Sequence, residues 1–180
     1  GKDVTLIARN AHLAAMKEQG LTVCHLWDGT TETVPVKAEN METYESMIAS
    51  AGEAAKPDVI LVCVKGYSLD NTVPFIQKIA KKSTIVIPIL NIYGTGSRLQ
   101  KKLPELLVTD GCIYVSANIE GPGALVQHGK ILRVVFGVRE KSEFREELKE
   151  IAKDFSDSGI SGELSENIRR DALEKFSYVS

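Results

Sequence analysis

A chain of 180 residues is long enough for one domain with a sizeable core and too short for two. Its composition, 43% hydrophobic and 26% charged, is typical of a globular protein and excludes a disordered chain. The formal net charge of -2, with both signs interspersed, leaves no basic stripe, so we expect no nucleic-acid partner.

The apolar runs, the cysteines and the histidines bear on compartment and metal binding. No apolar stretch reaches the roughly 18 residues that cross a bilayer, so we expect no membrane partner. Cys24, Cys63 and Cys112 are scattered without CxxC spacing, which favours a reduced, cytoplasmic location. The three histidines have no carboxylate or cysteine at metal-ligand spacing, so we expect no metal site.

Strand and helix patterns alternate from the start of the chain. Residues 4–8 are a β-rich apolar run, and Asn10 can cap a helix that ends at Gly20. Asp28-Gly29 is typical of a two-residue hairpin turn between segments of 21–37, and a helix is expected over 42–55.

Two continuously apolar runs follow, at 58–64 and 83–90, as in parallel strands covered on both faces. The helix between them is expected to start near Val73, because Pro74 is favoured in a first turn. Gly94 and Gly96 are interpreted as a turn that opens a short helix. The alternation predicts a doubly wound, Rossmann-like α/β fold.

The last third of the chain predicts strands at 113–117 and 131–137 and a helix over 144–155. We expect the nucleotide-binding domain to cover 1–162. From Ser165, Ile168, Ala172 and Phe176 form an apolar stripe for which the sequence offers no partner. Residues 163–180 are therefore expected to begin a C-terminal helical domain, and we expect the chain to be cut at both ends.

Three strands end on polar side chains: Arg9, Lys65 and Asn91. In open parallel sheets, ligands bind outside the carboxyl ends of the strands, so these residues predict a cleft for an anionic ligand such as a dinucleotide. If residues 4–8 are the second strand of that fold, Arg9 indicates NADP, because an Arg there accommodates the additional phosphate. The first strand and its glycine-rich loop would then precede Gly1.

Lys175 is a further candidate, one helical turn beyond Ala172 and on the apolar face of its helix. A solvated lysine with its stem along that face is the alternative, because Glu174 lies beside it.

Several runs together resemble the ketopantoate reductase family, in collinear order over nearly the whole chain. They are VTLIAR (4–9), HLAAMKEQGL (12–21), DVILVCVKGYSLDNTV (58–73), LNIYGTG (90–96), IEGPG (119–123) with His128-Gly129, and NIRRDALEKF (167–176). The resemblance implies an N-terminal Rossmann domain, a C-terminal helical domain and an active site between them.

The resemblance also implies roles for individual residues. Arg9 would bind the 2′-phosphate of NADPH, Lys65 and Asn91 would line the cofactor cleft, and Ala117 would contact the cofactor through its backbone. Lys175 would be the catalytic acid, with Asn91 orienting Lys175 or the substrate. The reaction implied is reduction of 2-dehydropantoate, a small 2-oxoacid, to pantoate in pantothenate biosynthesis.

Three points remain open at this stage. Where the family carries Asn four residues after the catalytic lysine, this sequence has Val179, so a related 2-oxoacid remains an alternative substrate. A non-catalytic dinucleotide-binding or sensory domain, or a different Rossmann oxidoreductase, are alternative functions. A homodimer is open, and we expect the 180-residue chain to be inactive alone.

Overall fold

The structure is a computed structural model that describes residues 2–179, with the side chains of 178 and 179 outside the described residues. The strands are β1 (Thr5–Ile7), β2 (Leu21–His25), β3 (Thr30–Val34), β4 (Lys37–Glu39), β5 (Val59–Val62), β6 (Ile85–Pro88), β7 (Leu107–Val108), β8 (Asp110–Gly121), β9 (Ala124–Gly137) and β10 (Ser161–Leu164). The α-helices are α1 (Asn10–Gln19), α2 (Met41–Ala51), α3 (Val73–Ile79), α4 (Thr95–Gln100), α5 (Glu147–Asp157) and α6 (Ile168–Val179).

The chain folds into two compact units. Unit 1 contains the chain up to Ala51 together with Val115–Ile131, and unit 2 contains Gly52–Tyr114 and the chain from Leu132 onward. Both units combine parallel strands with helices, which confirms the predicted Rossmann-like α/β class. The parallel pairs of the predicted sheet lie in two ladders, β1–β4 in unit 1 and β5–β6–β7 in unit 2.

In unit 1, β1 and β4 pair in parallel from Thr5↔Lys37 to Ile7↔Glu39, and α1 packs on β4. Strands β2 and β3 form the predicted antiparallel hairpin. The predicted two-residue turn was wrong, because His25 pairs with Thr30 and leaves four residues in the turn. The Asp28 carboxylate accepts the Thr30 N–H at 3.0 Å, which stabilises this longer turn.

In unit 2, β6 is the centre of the parallel ladder and is buried on both faces. Val86 faces one apolar cluster, with Val62 and Leu99, whereas Ile85 and Ile87 face another that contains Phe136 and Leu148. This alternation explains the uninterrupted apolar run, since successive strand residues point to opposite faces and both faces are covered. Helix α3 begins at Val73, as predicted.

Strands β8 and β9 are much longer than predicted. Pro122 and Gly123 alone connect them, and such a short connection allows only antiparallel pairing. Strand β9 also pairs in parallel with β2 through residues 124–127 and with β10 through residues 133–136. These partners extend the strand through polar sequence that has no strand pattern of its own.

The apolar stripe of α6 has a partner in unit 2, so the expectation that it lacks one was wrong. Ile168 and Ala172 are buried, and Ile168 packs against Cys112 of β8 and Val135 of β9. The domain boundary near 162 remains a prediction. Within the described part of the chain, no helix is long and apolar enough to cross a membrane.

Candidate active site

The carboxyl ends of β5 and β6 place two of the predicted site residues at one edge of unit 2. Because the two strands are adjacent and parallel, the segments that follow them lie side by side. Lys65 follows β5 and Asn91 follows β6, and both residues are exposed. The segments are also in contact, since a Cβ built on Gly66 would lie 2.1 Å from Ile92 Cδ1.

Helix α6 brings Lys175 to the same edge. Its side chain follows Ile168 and Ala172 on the buried face of the helix, and only 5% of the residue is exposed. Lys175 Nζ donates hydrogen bonds of 2.6 Å to Asn91 Oδ1 and of 2.6 Å to the main-chain carbonyl of Ile113. The solvated alternative for Lys175 does not match this burial. The structure therefore joins Asn91 and Lys175, residues 84 positions apart in the sequence.

The surroundings of the ammonium group are aromatic and uncharged. The Lys175 Nζ atom lies 5.3 Å from the Tyr114 ring centroid and 5.4 Å from that of Phe176. Within the described residues, no carboxylate forms an ion pair with it. Burial lowers the pKa of Lys175, because desolvation disfavours the charged form, while the nearby Cys112 thiol has a smaller opposite effect.

This geometry has a chemical consequence for proton transfer. An ammonium group has three N–H donors, and in the described part of unit 2 two of them bind neutral acceptors. The third remains for an oxygen atom of a ligand. A buried lysine with a lowered pKa releases a proton more readily than a solvated one.

Arg9 and Ala117 lie in unit 1. Arg9 is exposed at the N-cap of α1, and among the described residues its side chain forms no hydrogen bond or ion pair. Asn10 was wrongly predicted as the cap: it is the first residue of α1, with φ of 55°. Ala117 is exposed in β8. The side chain of Val179 lies outside the described residues, and the roles predicted for these residues remain predictions.

Sequence reasoning missed two parts of the site, the Ile113 carbonyl and the Tyr114 ring. Every residue carries a carbonyl, so no residue type in the sequence marks the one at 113. The run that contains Tyr114 reads as an ordinary strand. Tyr114 could have been predicted as part of the site only from the packing of α6 on β8, which the sequence does not show.

The histidines have structural surroundings in the described residues. His12 Nδ1 accepts the Gly123 N–H at 2.9 Å, which ties α1 to the β8–β9 turn within unit 1. His128 Nε2 and Asn118 Oδ1 are 2.5 Å apart on the same hairpin. Among residues 2–179, no group of three or more His, Cys, Asp or Glu side chains could hold a metal ion. Cys24, Cys63 and Cys112 are free thiols.

Comparison with known proteins points to one family. A curated relative, the 2-dehydropantoate 2-reductase of Pyrococcus horikoshii, is 28% identical over 93% of this chain and 50% of its own length. Among solved structures, the 2-dehydropantoate 2-reductase of Porphyromonas gingivalis superposes with a TM-score of 0.81 at 26% identity, covering 98% of this chain and 58% of that one.

A third similarity shows the fold alone. D-mandelate dehydrogenase, solved with NADH and anilino(oxo)acetate, superposes with a TM-score of 0.76 at 23% identity, over 97% of this chain and 53% of that one. The chain thus spans about half the length of the proteins that it matches. The family model for ketopantoate reductase PanE/ApbA matches residues 1–141. The chain therefore belongs to the ketopantoate reductase family, PanE/ApbA.

Proposed function

We propose that this chain is the nucleotide-binding part of an NADPH-dependent reductase that converts 2-dehydropantoate, or a closely related 2-oxoacid, to the 2-hydroxy acid. The observation that carries the proposal is the buried Lys175 ammonium, bound to Asn91 and to the Ile113 carbonyl with one donor left over. The family of the chain supports the reaction class, and its relatives include 2-dehydropantoate 2-reductases.

Lys175 would act on the keto oxygen of the substrate. When bound, the reduced nicotinamide supplies the hydride that adds to the keto carbon. Negative charge then develops on the oxygen, and the remaining N–H of Lys175 stabilises that charge and delivers the proton. Lys175 is left neutral, a form that its burial favours. The proton is restored from solvent between turnovers.

Asn91 would have two functions in this mechanism. Its Oδ1 accepts the hydrogen bond from Lys175 and so fixes where the ammonium group points. Its Nδ2 has no hydrogen-bond partner among the described residues and can donate to a substrate or cofactor oxygen. Asn91 would therefore orient both the acid and its target.

Two exposed cations support a phosphorylated dinucleotide as the ligand. Arg9 is an exposed cation without a partner in the described chain. Its guanidinium group is therefore available to bind a phosphate. Lys65 is a second exposed cation, at a strand end in unit 2. We propose that Arg9 binds the 2′-phosphate, that Lys65 and Asn91 line the cleft, and that Ala117 contacts the cofactor through its backbone.

A lysine substitution tests the catalytic role. In a protein that extends this chain to the length of its relatives, Lys175→Ala should lower kcat with 2-dehydropantoate by about 10²- to 10⁴-fold and leave NADPH affinity unchanged. Lys82→Ala is the matched control, because Lys82 is exposed and precedes β6, at the opposite end of that strand from Asn91. If Lys175→Ala changes turnover no more than Lys82→Ala does, Lys175 is not the acid.

An arginine substitution tests the cofactor. In the same extended protein, Arg9→Ala should reduce the preference for NADPH over NADH by about 10- to 100-fold, the worth of one or two charge-assisted hydrogen bonds. An unchanged ratio, measured by titration of the intrinsic fluorescence with each cofactor, would remove Arg9 from the phosphate site.

The second candidate function is a dinucleotide-binding or sensory domain without catalysis. It keeps the exposed cations and predicts tight NADPH binding without turnover of 2-dehydropantoate or of branched 2-oxoacids. The same two assays distinguish it from the reductase. A cytoplasmic location and a homodimer are further parts of the reductase proposal. Cell fractionation measures the location, and sedimentation velocity measures the oligomeric state.

A further inference from the structure

Tyr114 lies beside the Lys175 ammonium in unit 2 and has no role in the mechanism above. It directly follows Ile113, whose carbonyl accepts a hydrogen bond from Lys175, so one segment of β8 contributes both contacts. The ring centroid lies 5.3 Å from Lys175 Nζ, within the range of a cation–π interaction. Tyr114 is half-buried and packs against the cluster of Cys112, Val135 and Ile168, which holds its ring in place.

A second cation approaches the same ring. The Arg133 guanidinium carbon lies 5.2 Å from the Tyr114 centroid. The Arg133 guanidinium is charged and donates to the Glu163 carboxylate of β10, which offsets its positive charge. The Tyr114 ring therefore lies near one cation from β9 and one from α6.

The charged and titratable groups near Lys175 provide no ion-pair partner for its ammonium group in the described part of unit 2. From α6, Asp171 is held by the Ser165 hydroxyl and by Arg170. From β8, the Cys112 thiol is buried and its pKa is raised by desolvation. Asn91 and the Ile113 carbonyl are neutral. Hence no full negative charge forms an ion pair with the ammonium group in the described part of unit 2. The aromatic rings near Nζ are an additional source of attraction, Tyr114 from β8 and Phe176 from α6 itself.

We propose that Tyr114 is a positioning residue for Lys175: its aromatic ring stabilises the ammonium group in the charged form, bound to Asn91 and the Ile113 carbonyl. The face of an aromatic ring carries negative charge density and attracts a cation most strongly where water is excluded. Burial alone would drive Lys175 towards the neutral amine, which cannot donate a proton to a keto oxygen. The catalytic meaning of Tyr114 rests on the proposed function, whereas its effect on the ammonium group does not.

The test follows the Lys175 ammonium itself, by NMR titration of its side-chain ¹³Cε and ¹⁵Nζ resonances in the 180-residue chain, assigned with Lys175→Met. Tyr114→Leu should move the titration midpoint of Lys175 down by about half a pH unit or more, as expected for loss of a cation–π contact. Tyr114→Phe keeps the ring and should retain the wild-type midpoint. Tyr67→Leu is the matched control, because Tyr67 is 84% exposed and should have no effect.

Two outcomes would overturn the inference. If Tyr114→Leu leaves the midpoint unchanged, the ring does not stabilise the ammonium group. If Tyr114→Phe lowers it as far as Tyr114→Leu does, the hydroxyl group and not the ring is responsible. Should Tyr114→Leu fail to fold, fluorinated phenylalanines at 114 keep the shape of the ring while weakening its negative face, and the midpoint should fall stepwise with fluorination.

These measurements do not depend on turnover, so they separate this inference from the proposed function. A ring effect in a protein that reduces no 2-oxoacid would retain the inference and reject the reductase. In an active extended protein, Tyr114→Leu should lower kcat and move its pH profile down with the titration midpoint, leaving KM nearly unchanged, and Tyr114→Phe should restore both.

Discussion

Replacement of Gly96 by alanine sets helix propensity against packing. Gly96 is the second residue of α4, and alanine in a helix is favoured over glycine by up to about 1 kcal/mol. However, a Cβ atom on Gly96 would lie 2.1 Å from the main-chain oxygen of Thr109 and 2.2 Å from Asp110 Oδ1. Propensity alone predicts a more stable protein, whereas packing predicts a less stable one.

The distances decide which effect is larger. Real Cβ contacts are essentially never below 3.0 Å, so α4 or the segment before β8 would have to move by about 1 Å. Overpacking of that kind costs roughly 1 to 3 kcal/mol. The shift would also disturb Asp110, which lies 3.5 Å from the buried Arg139 guanidinium, and an impaired buried ion pair adds to the loss. We expect a net destabilisation of roughly 2 to 4 kcal/mol.

Urea denaturation followed by circular dichroism measures this loss. With a urea dependence of about 2 kcal/mol per molar, the unfolding midpoint should fall by roughly 1 to 2 M. Gly121→Ala is the matched control, because no atom lies within 4 Å of a Cβ there and its φ is not positive. If Gly96→Ala unfolds at the same urea concentration as Gly121→Ala, Gly96 does not pack closely against Thr109 and Asp110.

Two further predictions concern the Lys175 ammonium. The folded-state pKa of Lys175 is lowered, so the unfolded chain binds more protons than the folded one between that pKa and the ordinary value of 10.5. The charged lysine therefore lowers the free energy of unfolding by a constant amount below this pH window. That loss disappears as pH rises through the window. Lys175→Met removes the penalty, and its advantage in unfolding free energy over wild type should shrink as pH rises towards 10.5; an advantage that grows with pH would refute this sign. Asn91→Asp places a carboxylate at the acceptor position 2.6 Å from Nζ and should raise the NMR titration midpoint of Lys175, whereas a lowered midpoint would contradict the assigned contact.

The parts of the fold that the sequence predicts are those governed by local patterns. The apolar runs of β5 and β6 and the start of α3 at Val73 follow from periodicity and from proline geometry. The lengths of β8 and β9 do not, because polar residues such as Gln127 enter a strand only through pairing with β2. The turn after His25 was predicted too short, since Asp28 stabilises a four-residue turn that Asp-Gly alone does not indicate.

The candidate site divides in the same way. Lys175 could be placed on the apolar face of its helix by counting residues, but its burial depends on β8 and on the segment after β6. The apolar stripe beside it was judged to lack a partner because the sequence does not show that α6 returns to Cys112 and Val135. Tyr114 belongs to the site because β8, β9 and α6 meet in the fold, and the sequence does not show that they do.

The acceptor that β8 offers to Lys175 has a consequence for how this site tolerates mutation. Because the acceptor is the main-chain carbonyl of Ile113, every amino acid at 113 supplies the same oxygen, and a side-chain change there leaves it in place as long as the strand keeps its course. The Asn91 contact, in contrast, depends on the side chain. In a saturation library, position 113 should therefore accept any residue that fits the strand, while position 91 should accept few, although both contact the same nitrogen at the same distance.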